Sequence, residues 1–179
     1  RYSEIPRAMV ASGDYVTPRL NGVKYFEKPA LFYWMQAGSI KLFGVNEWAL
    51  RLWPALLALL GCLAVYGAGR KLFGRRAGLI AAIVLATSPL YYLLARIITL
   101  DMAVSVLLTG ALLSFLLGVR EPPGRTRSLY LYAFYALCAA ATLTKGLIGI
   151  VIPAMVIGAW IVLLWDWRLL RAIHLPTGL

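Results

Sequence analysis

Charged residues are scarce in this chain of 179 residues, in which Asp, Glu, Lys and Arg together make up only 14%. Soluble domains carry about 25% charged residues, whereas 61% of the residues here are hydrophobic. This composition excludes an ordinary soluble domain and predicts an all-α integral membrane protein. Acidic residues are the scarcer charge, with 7 Asp and Glu against 18 Lys and Arg and a net charge of +11.

Histidine and cysteine are nearly absent, which excludes several chemistries. The two cysteines, Cys62 and Cys138, lie in apolar runs without CxxC spacing, and the one histidine, His174, has no HxxxH or HExxH pattern. We therefore expect neither a disulfide framework nor a zinc site. There is no Walker loop, no GxGxxG and no basic, aromatic-interleaved surface, so ATP, a dinucleotide and nucleic acid are not expected as partners.

Long apolar runs are abundant instead, and five of them are about 20 residues long, enough to cross a bilayer. They cover roughly residues 48–69, 77–95, 100–119, 128–144 and 147–165. Pro89 and Pro153 lie inside two of these runs, where neighbouring helices tolerate kinks. The sequence thus predicts a multi-pass helical bundle over residues 48–166, followed by a tail over residues 167–179.

Basic residues concentrate in every second loop between the runs. Those loops hold Arg70, Lys71, Arg75 and Arg76, then Arg120, Arg125 and Arg127, then Arg168 and Arg171. The positive-inside rule places such loops and the tail in the cytoplasm and residues 1–47 on the opposite face. Because the chain starts at Arg1 within a polar segment, we also expect an internal fragment of a larger protein, with a spanning helix upstream.

Residues 1–47 predict two amphipathic surface helices joined by a charged loop. Ile5, Met9 and their neighbours recur at helical spacing before Gly13, a helix stop. Residues 14–28 contain turn formers at Pro18 and Asn21-Gly22. The segment of about residues 30–43 is too short to span a membrane and is typical of an interfacial helix.

The candidate charges all fall on the face opposite the basic loops. Lys28 is a candidate phosphate ligand, with a solvated or snorkelling lysine as the alternative. Glu27 is a candidate general base, sugar-hydroxyl acceptor or metal ligand, with a salt bridge to a neighbouring base as the alternative. Asp101 is a further candidate site residue, with helix capping together with Thr99 as the alternative. Lys145 is a candidate ligand for an anionic headgroup, with snorkelling at a helix end as the alternative.

Several of these residues stand in an ordered set of short motifs. It comprises Arg1-Tyr2, Glu4-Ile5, the stretch Ser12-Gly13-Asp14-Tyr15-Val16-Thr17-Pro18, Asn21-Gly22, Tyr25-Phe26-Glu27-Lys28-Pro29, Tyr33-Trp34, Phe43-Gly44, Glu47, Arg51-Leu52, Ser88-Pro89 and Thr99-Leu100-Asp101. In order and spacing the set resembles the bacterial lipid A aminoarabinose transferases and their protein-O-mannosyltransferase-like relatives. The matches cover most of residues 1–145.

This resemblance implies a GT-C fold and transfer of a sugar from an undecaprenyl-phosphate carrier to a lipid or protein acceptor at the periplasmic face of the bacterial inner membrane. It implies catalytic roles for Glu27 and Asp101, and lipid-phosphate or substrate binding by Arg1, Tyr2, Tyr25, Lys28 and Lys145. The main catalytic aspartate is expected just upstream of Arg1, so residues 1–179 alone are expected to be inactive.

The sequence leaves some alternatives open. No cofactor is specified and a role for a divalent metal stays open, because Lys and Arg can stabilise a phosphate leaving group without one. A transporter would require ionisable groups at mid-bilayer depth, and the five runs have none near their centres. A non-catalytic lipid-binding subunit would differ from the enzyme in not turning over a polyprenyl-phospho-sugar.

Overall fold

The computed structural model describes residues 2–165, and these form a helical bundle with one very short hairpin. In chain order the elements are α1 Glu4–Ser12, β1 Arg19–Leu20, β2 Val23–Lys24, α2 Leu31–Phe43, α3 Glu47–Phe73, α4 Arg75–Thr87, α5 Pro89–Arg96, α6 Leu100–Arg120, α7 Arg125–Lys145 and α8 Ile148–Leu164. The predicted tail over residues 167–179, with His174, lies outside the described residues.

The two predicted helices of the N-terminal segment are confirmed in position. Gly13 ends α1 in the left-handed conformation, at φ 72°, with its N–H donating to the carbonyl of Met9. Between the helices, β1 pairs antiparallel with β2 across a turn in which Asn21 and Gly22 both have positive φ. Asn-Gly is favoured in such tight hairpin turns because both positions need positive φ. The sequence predicted the turn and missed the hairpin around it.

The long helices α3, α6, α7 and α8 pack around apolar side chains. Phe115 of α6 and Phe134 of α7 are buried, with ring centroids 5.5 Å apart, and Ile157 and Ile161 of α8 pack against them. Asn46 starts α3 by accepting a hydrogen bond from the backbone N–H of Ala49 at 2.7 Å. Antiparallel neighbours with short connections are the expected arrangement for a bundle of this kind.

The second predicted span is bent rather than straight. Helices α4 and α5 meet at 63° across Ser88, immediately before Pro89. Within the described residues, α3 and α6 are long and apolar enough to cross a membrane, and the bent pair would make a third such segment. Helix α8 is apolar but shorter. The assignment of five spans, and of α1 and α2 to the membrane surface, stays a prediction.

Opposite ends of the bundle differ in their charged contacts. At the end where α3 and α6 finish, the ammonium group of Lys71 pairs with Glu121 and donates to the hydroxyl of Tyr130 at 3.2 Å. Tyr130 lies near the start of α7, so this cluster joins three helices at the end that carries the basic loops. Candidate site residues Asp101 and Lys145 lie at the other end, at the start of α6 and the end of α7.

Gly149 allows α8 to approach the backbone of α7. A Cβ atom built on Gly149 would lie 2.7 Å from the carbonyl carbon of Ala141 and closer still to the backbone nitrogen of Thr142. Small residues at helix contacts are what permits such approach in membranes. We expect Gly149→Ala to lower the free energy of unfolding by about 1–3 kcal/mol through overpacking. Gly158→Ala, on the same helix with open space around it, is the matched control in a thermal-unfolding assay in detergent. Equal melting temperatures for the two variants would contradict this prediction.

Candidate functional site

The loop that carries Glu27 and Lys28 is held by local hydrogen bonds. A carboxylate oxygen of Asp14 accepts from the backbone N–H groups of Thr17 at 2.9 Å and Val16 at 3.1 Å. The bond from Thr17 is the main cause of a lowered pKa for Asp14. Further along, the indole N–H of Trp34 on α2 donates to the carbonyl of Tyr15 at 2.7 Å. The loop is thereby tied to the helix that follows it.

Tyr25, Glu27 and Lys28 form one polar cluster at the end of this loop. The Tyr25 hydroxyl donates to Oε2 of Glu27 at 2.5 Å, and Nζ of Lys28 lies 3.7 Å from Oε1 of the same carboxylate. The salt bridge that the sequence offered as the alternative for Glu27 is therefore present. Lys28 is the less exposed partner, with 27% of its side chain accessible against 52% for Glu27. The Lys28 side chain thus lies beside a carboxylate while remaining partly accessible.

Asp101 and Lys145 form the second polar pair. Nζ of Lys145 lies 2.5 Å from Oδ1 of Asp101, so the pair joins the start of α6 to the end of α7. The side chain of Thr99 makes no capping hydrogen bond to α6, and its hydroxyl is buried without a hydrogen-bond partner. Side-chain capping by Thr99, left open by the sequence, is therefore not found. Both members of the pair remain partly exposed.

Tyr2 packs against the apolar residues that lie next to each of the two polar groups. Its ring stacks on that of Tyr33, with centroids 6.5 Å apart and planes at 22°. It packs against one apolar cluster that also receives Tyr25, and against a second that contains Leu100 and Met102, the residues on each side of Asp101. Tyr2 therefore contributes to the packing beneath both groups. Arg1 lies outside the described residues.

A cavity lies between α3, α4, α5 and α6, with its lining on α6 beginning at Ser105, one turn after Asp101. Its volume is about 250 Å³. Its lining includes Ser105 and Thr109, which follow Asp101 at four-residue intervals and so share its face of α6.

 A second apolar cavity, of about 420 Å³, lies between α3, α6 and α7 and reaches Lys71 and Tyr130 at the opposite end of the bundle.

Sequence reasoning missed two buried polar residues of α2. Gln36 is fully buried, and Ser39 is 2% exposed. Both make hydrogen bonds to backbone carbonyls at the start of α3. The available signal was a polar pair three residues apart in an aromatic, apolar helix. Within residues 2–165, no group of three His, Cys, Asp or Glu side chains is placed to hold a metal ion.

Comparison with known proteins places this arrangement in a family. Residues 27–179 match the family described as dolichyl-phosphate-mannose-protein mannosyltransferase. Two crystal structures of ArnT from Cupriavidus metallidurans, one in the apo state and one bound to undecaprenyl phosphate, superpose on the chain with a TM-score of 0.95 at 39% sequence identity. The match covers 99% of this chain and 33% of that one. It confirms the predicted all-α, multi-pass membrane fold of GT-C type.

Curated relatives agree with the structural match. The undecaprenyl phosphate-alpha-4-amino-4-deoxy-L-arabinose arabinosyl transferase of Edwardsiella ictaluri is 32% identical over 169 residues, which is 94% of this chain and 31% of the relative. The enzyme of the same description from Aeromonas salmonicida is 34% identical over 163 residues, covering 90% of this chain and 30% of the relative. The chain thus spans about a third of the length of the relatives it matches.

Proposed function

The chain belongs to the dolichyl-phosphate-mannose-protein mannosyltransferase family, and from this premise we propose that it carries the donor-phosphate part of a membrane glycosyltransferase site. The donor is a sugar linked to a polyprenyl phosphate, and the acceptor is a lipid such as lipid A. The observation that carries the proposal is the Tyr25–Glu27–Lys28 cluster, in which a partly accessible lysine side chain lies beside a carboxylate. Relatives named as undecaprenyl-phosphate-dependent aminoarabinose transferases support it.

The proposed reaction moves one glycosyl group. The bond between the anomeric carbon and the donor phosphate oxygen breaks, and the acceptor hydroxyl forms the new glycosidic bond. The electron pair of the broken bond stays on the phosphate, where the ammonium group of Lys28 stabilises the added charge. A carboxylate accepts the proton of the acceptor hydroxyl, and we assign this role, or the orientation of the acceptor, to Glu27 or Asp101.

The apolar cavity beside Ser105 and Thr109 suits part of the prenyl tail. It is lined by residues of α3, α4, α5 and α6, among them Ser105, one turn after Asp101 on the same face of α6. Each CH₂ group of a tail that enters it gains about 0.8 kcal/mol. We propose the periplasmic face of the bacterial inner membrane as the site of reaction, because the basic loops lie at the opposite end of the bundle.

A turnover assay tests the function. Membranes containing the whole protein are incubated with an undecaprenyl-phosphate-linked aminopentose, and with the corresponding hexose, in the presence of lipid A or of an acceptor peptide. We expect release of undecaprenyl phosphate together with a mass increase of one sugar on lipid A. Sugar on the peptide alone would instead support a protein O-glycosyltransferase, and no turnover of any donor would overturn the proposal.

Glu27→Gln tests the proposed role of the carboxylate. The amide keeps the size of the side chain and can still accept from the Tyr25 hydroxyl, but it loses the negative charge and the basicity. We expect the transfer rate to fall by about 100-fold, the lower range for removal of a general acid or base. Glu47→Gln, at the start of α3 on the same end of the bundle, is the control. A rate within twofold of the unmodified protein would remove Glu27 from the catalytic set.

A further inference from the structure

Helix α3 contains a proline that leaves one backbone carbonyl without its usual donor. Pro54 is fully buried in the interior of α3. In an α-helix the N–H of residue 54 would donate to the carbonyl of Leu50, four residues earlier. Proline has no N–H, so this carbonyl needs another partner. Leu50 is partly buried, and most buried backbone carbonyls are paired within the protein.

Gln36 supplies the missing donor. Its side-chain nitrogen donates to the carbonyl of Leu50 at 3.2 Å. The residue is fully buried, and a buried amide is costly unless it is hydrogen-bonded. The need of Gln36 for an acceptor and the need of Leu50 for a donor are therefore met by the same bond. The side-chain oxygen of Gln36 is buried without a hydrogen-bond partner, so this bond is the one that compensates the amide.

The position of α2 matters because α2 begins only three residues after Lys28. Phe32 and Tyr33, in its first turn, are completely buried in the two apolar clusters that also pack against Tyr2. A shift of α2 along α3 would therefore move the packing beneath Tyr25, three residues before Lys28. Backbone geometry at the start of α2 is thus coupled to the candidate phosphate ligand.

We propose that Gln36 is a positioning residue, which fixes α2 and the Lys28 loop by binding the carbonyl that Pro54 leaves free on α3. As a statement about catalysis this inference rests on the proposed function; as a statement about α2 it does not. Gln36 and Pro54 thus act together: the proline frees the Leu50 carbonyl, and the glutamine binds it.

A double-mutant cycle separates this role from general packing. Gln36→Leu removes the donor and leaves the partly buried Leu50 carbonyl without one, whereas Pro54→Ala restores an N–H at position 54 that can bond it within the helix. We expect Gln36→Leu to raise the hydrogen-exchange rates of α2 amides by roughly tenfold, the lower range for an unsatisfied buried group. In the Pro54→Ala background the same substitution is expected to have less than a threefold effect.

Ser39→Ala is the matched control on the same helix. Its hydroxyl donates to the carbonyl of Ala49 at 2.8 Å, and that carbonyl faces the N–H of Trp53 in helical register. Loss of the Ser39 hydroxyl thus leaves no carbonyl without a donor, and we expect a small change in exchange. A similar increase for Ser39→Ala and Gln36→Leu would overturn the special role of the proline.

Transfer activity is the second readout, and it distinguishes failure of the Gln36 inference from failure of the proposed function. We expect Gln36→Leu to raise the KM for the polyprenyl-phosphate donor more than it lowers kcat, and Gln36→Leu with Pro54→Ala to recover most of the loss. Exchange is measured without substrate, so it decides the inference even if the proposed function is wrong. An active protein in which Gln36→Leu has equal effects in both backgrounds would overturn the inference and leave the function standing. If Gln36→Leu does not fold, recovery of folding in the double variant supports the inference, and its absence overturns it.

Discussion

Lys28→Ala is expected to lower the rate of sugar transfer by about 100- to 1,000-fold, the range measured when one preorganised donor to a developing negative charge is removed. The leaving group of the proposed reaction is a polyprenyl phosphate, whose charge grows as the glycosidic bond breaks. Lys28 is placed to meet it, since 27% of its side chain is accessible and its nearest anionic neighbour is Glu27 at 3.7 Å. At that separation the ammonium group is not committed to a close hydrogen bond with the carboxylate. Initial rates of undecaprenyl phosphate release from membranes containing the whole protein give the measurement.

Two further variants make the Lys28 result specific. Lys24→Ala removes an exposed lysine from β2 of the same loop, so it controls for the overall charge of the segment, and we expect its activity to stay within about twofold. Lys28→Arg keeps the charge but replaces a compact ammonium with a planar guanidinium, so partial activity is expected. Unchanged activity in Lys28→Ala, with normal expression, would remove this residue from the site.

The pattern of apolar and charged residues was sufficient to predict the helices and which of their ends lie together. The boundaries of α6 and α7 follow from apolar runs that stop at Arg120 and Lys145. Gly13 and Asn21-Gly22 marked their turns because each needs a backbone conformation that few other residues adopt easily. The 63° bend at Ser88 was signalled by Pro89, although a proline predicts the place of a break better than its angle.

Contacts between residues far apart in the chain could not be predicted from the sequence. Asp101 and Lys145 are 44 residues apart, and their pairing depends on how α6 packs on α7. Gln36 falls in the segment predicted as a surface helix, where a polar residue is unremarkable, and its partner is a carbonyl that Pro54 leaves free on another helix. The hydrogen-bond partner of such a residue lies on another helix, so its role becomes visible only in the three-dimensional structure.

Neutralising Asp101 and Lys145, singly and together, is expected to show whether the pair acts on substrate or only on its own helices. The two side chains are 47% and 33% exposed, and ion pairs of this kind contribute only about 0.2–1 kcal/mol to stability. Asp101→Asn and Lys145→Gln should therefore leave the melting temperature nearly unchanged. We expect each to lower the transfer rate by about 100-fold, as for loss of a catalytic acid, base or charge-stabilising group.

The double variant decides between the two roles. If the charges serve only each other, removing one leaves its partner unpaired, and removing both at once relieves that defect, so Asp101→Asn with Lys145→Gln would be more active than either single variant. If they act on the donor or acceptor, the double variant loses both contributions and stays as inactive as the worse single variant, which is the result we expect. Glu47→Gln with Arg51→Gln neutralises an ion pair at the start of α3, on the same end of the bundle, and should retain activity. Recovery in the Asp101–Lys145 double variant would assign the pair to holding α6 on α7 and leave the candidate site to the Tyr25–Glu27–Lys28 cluster.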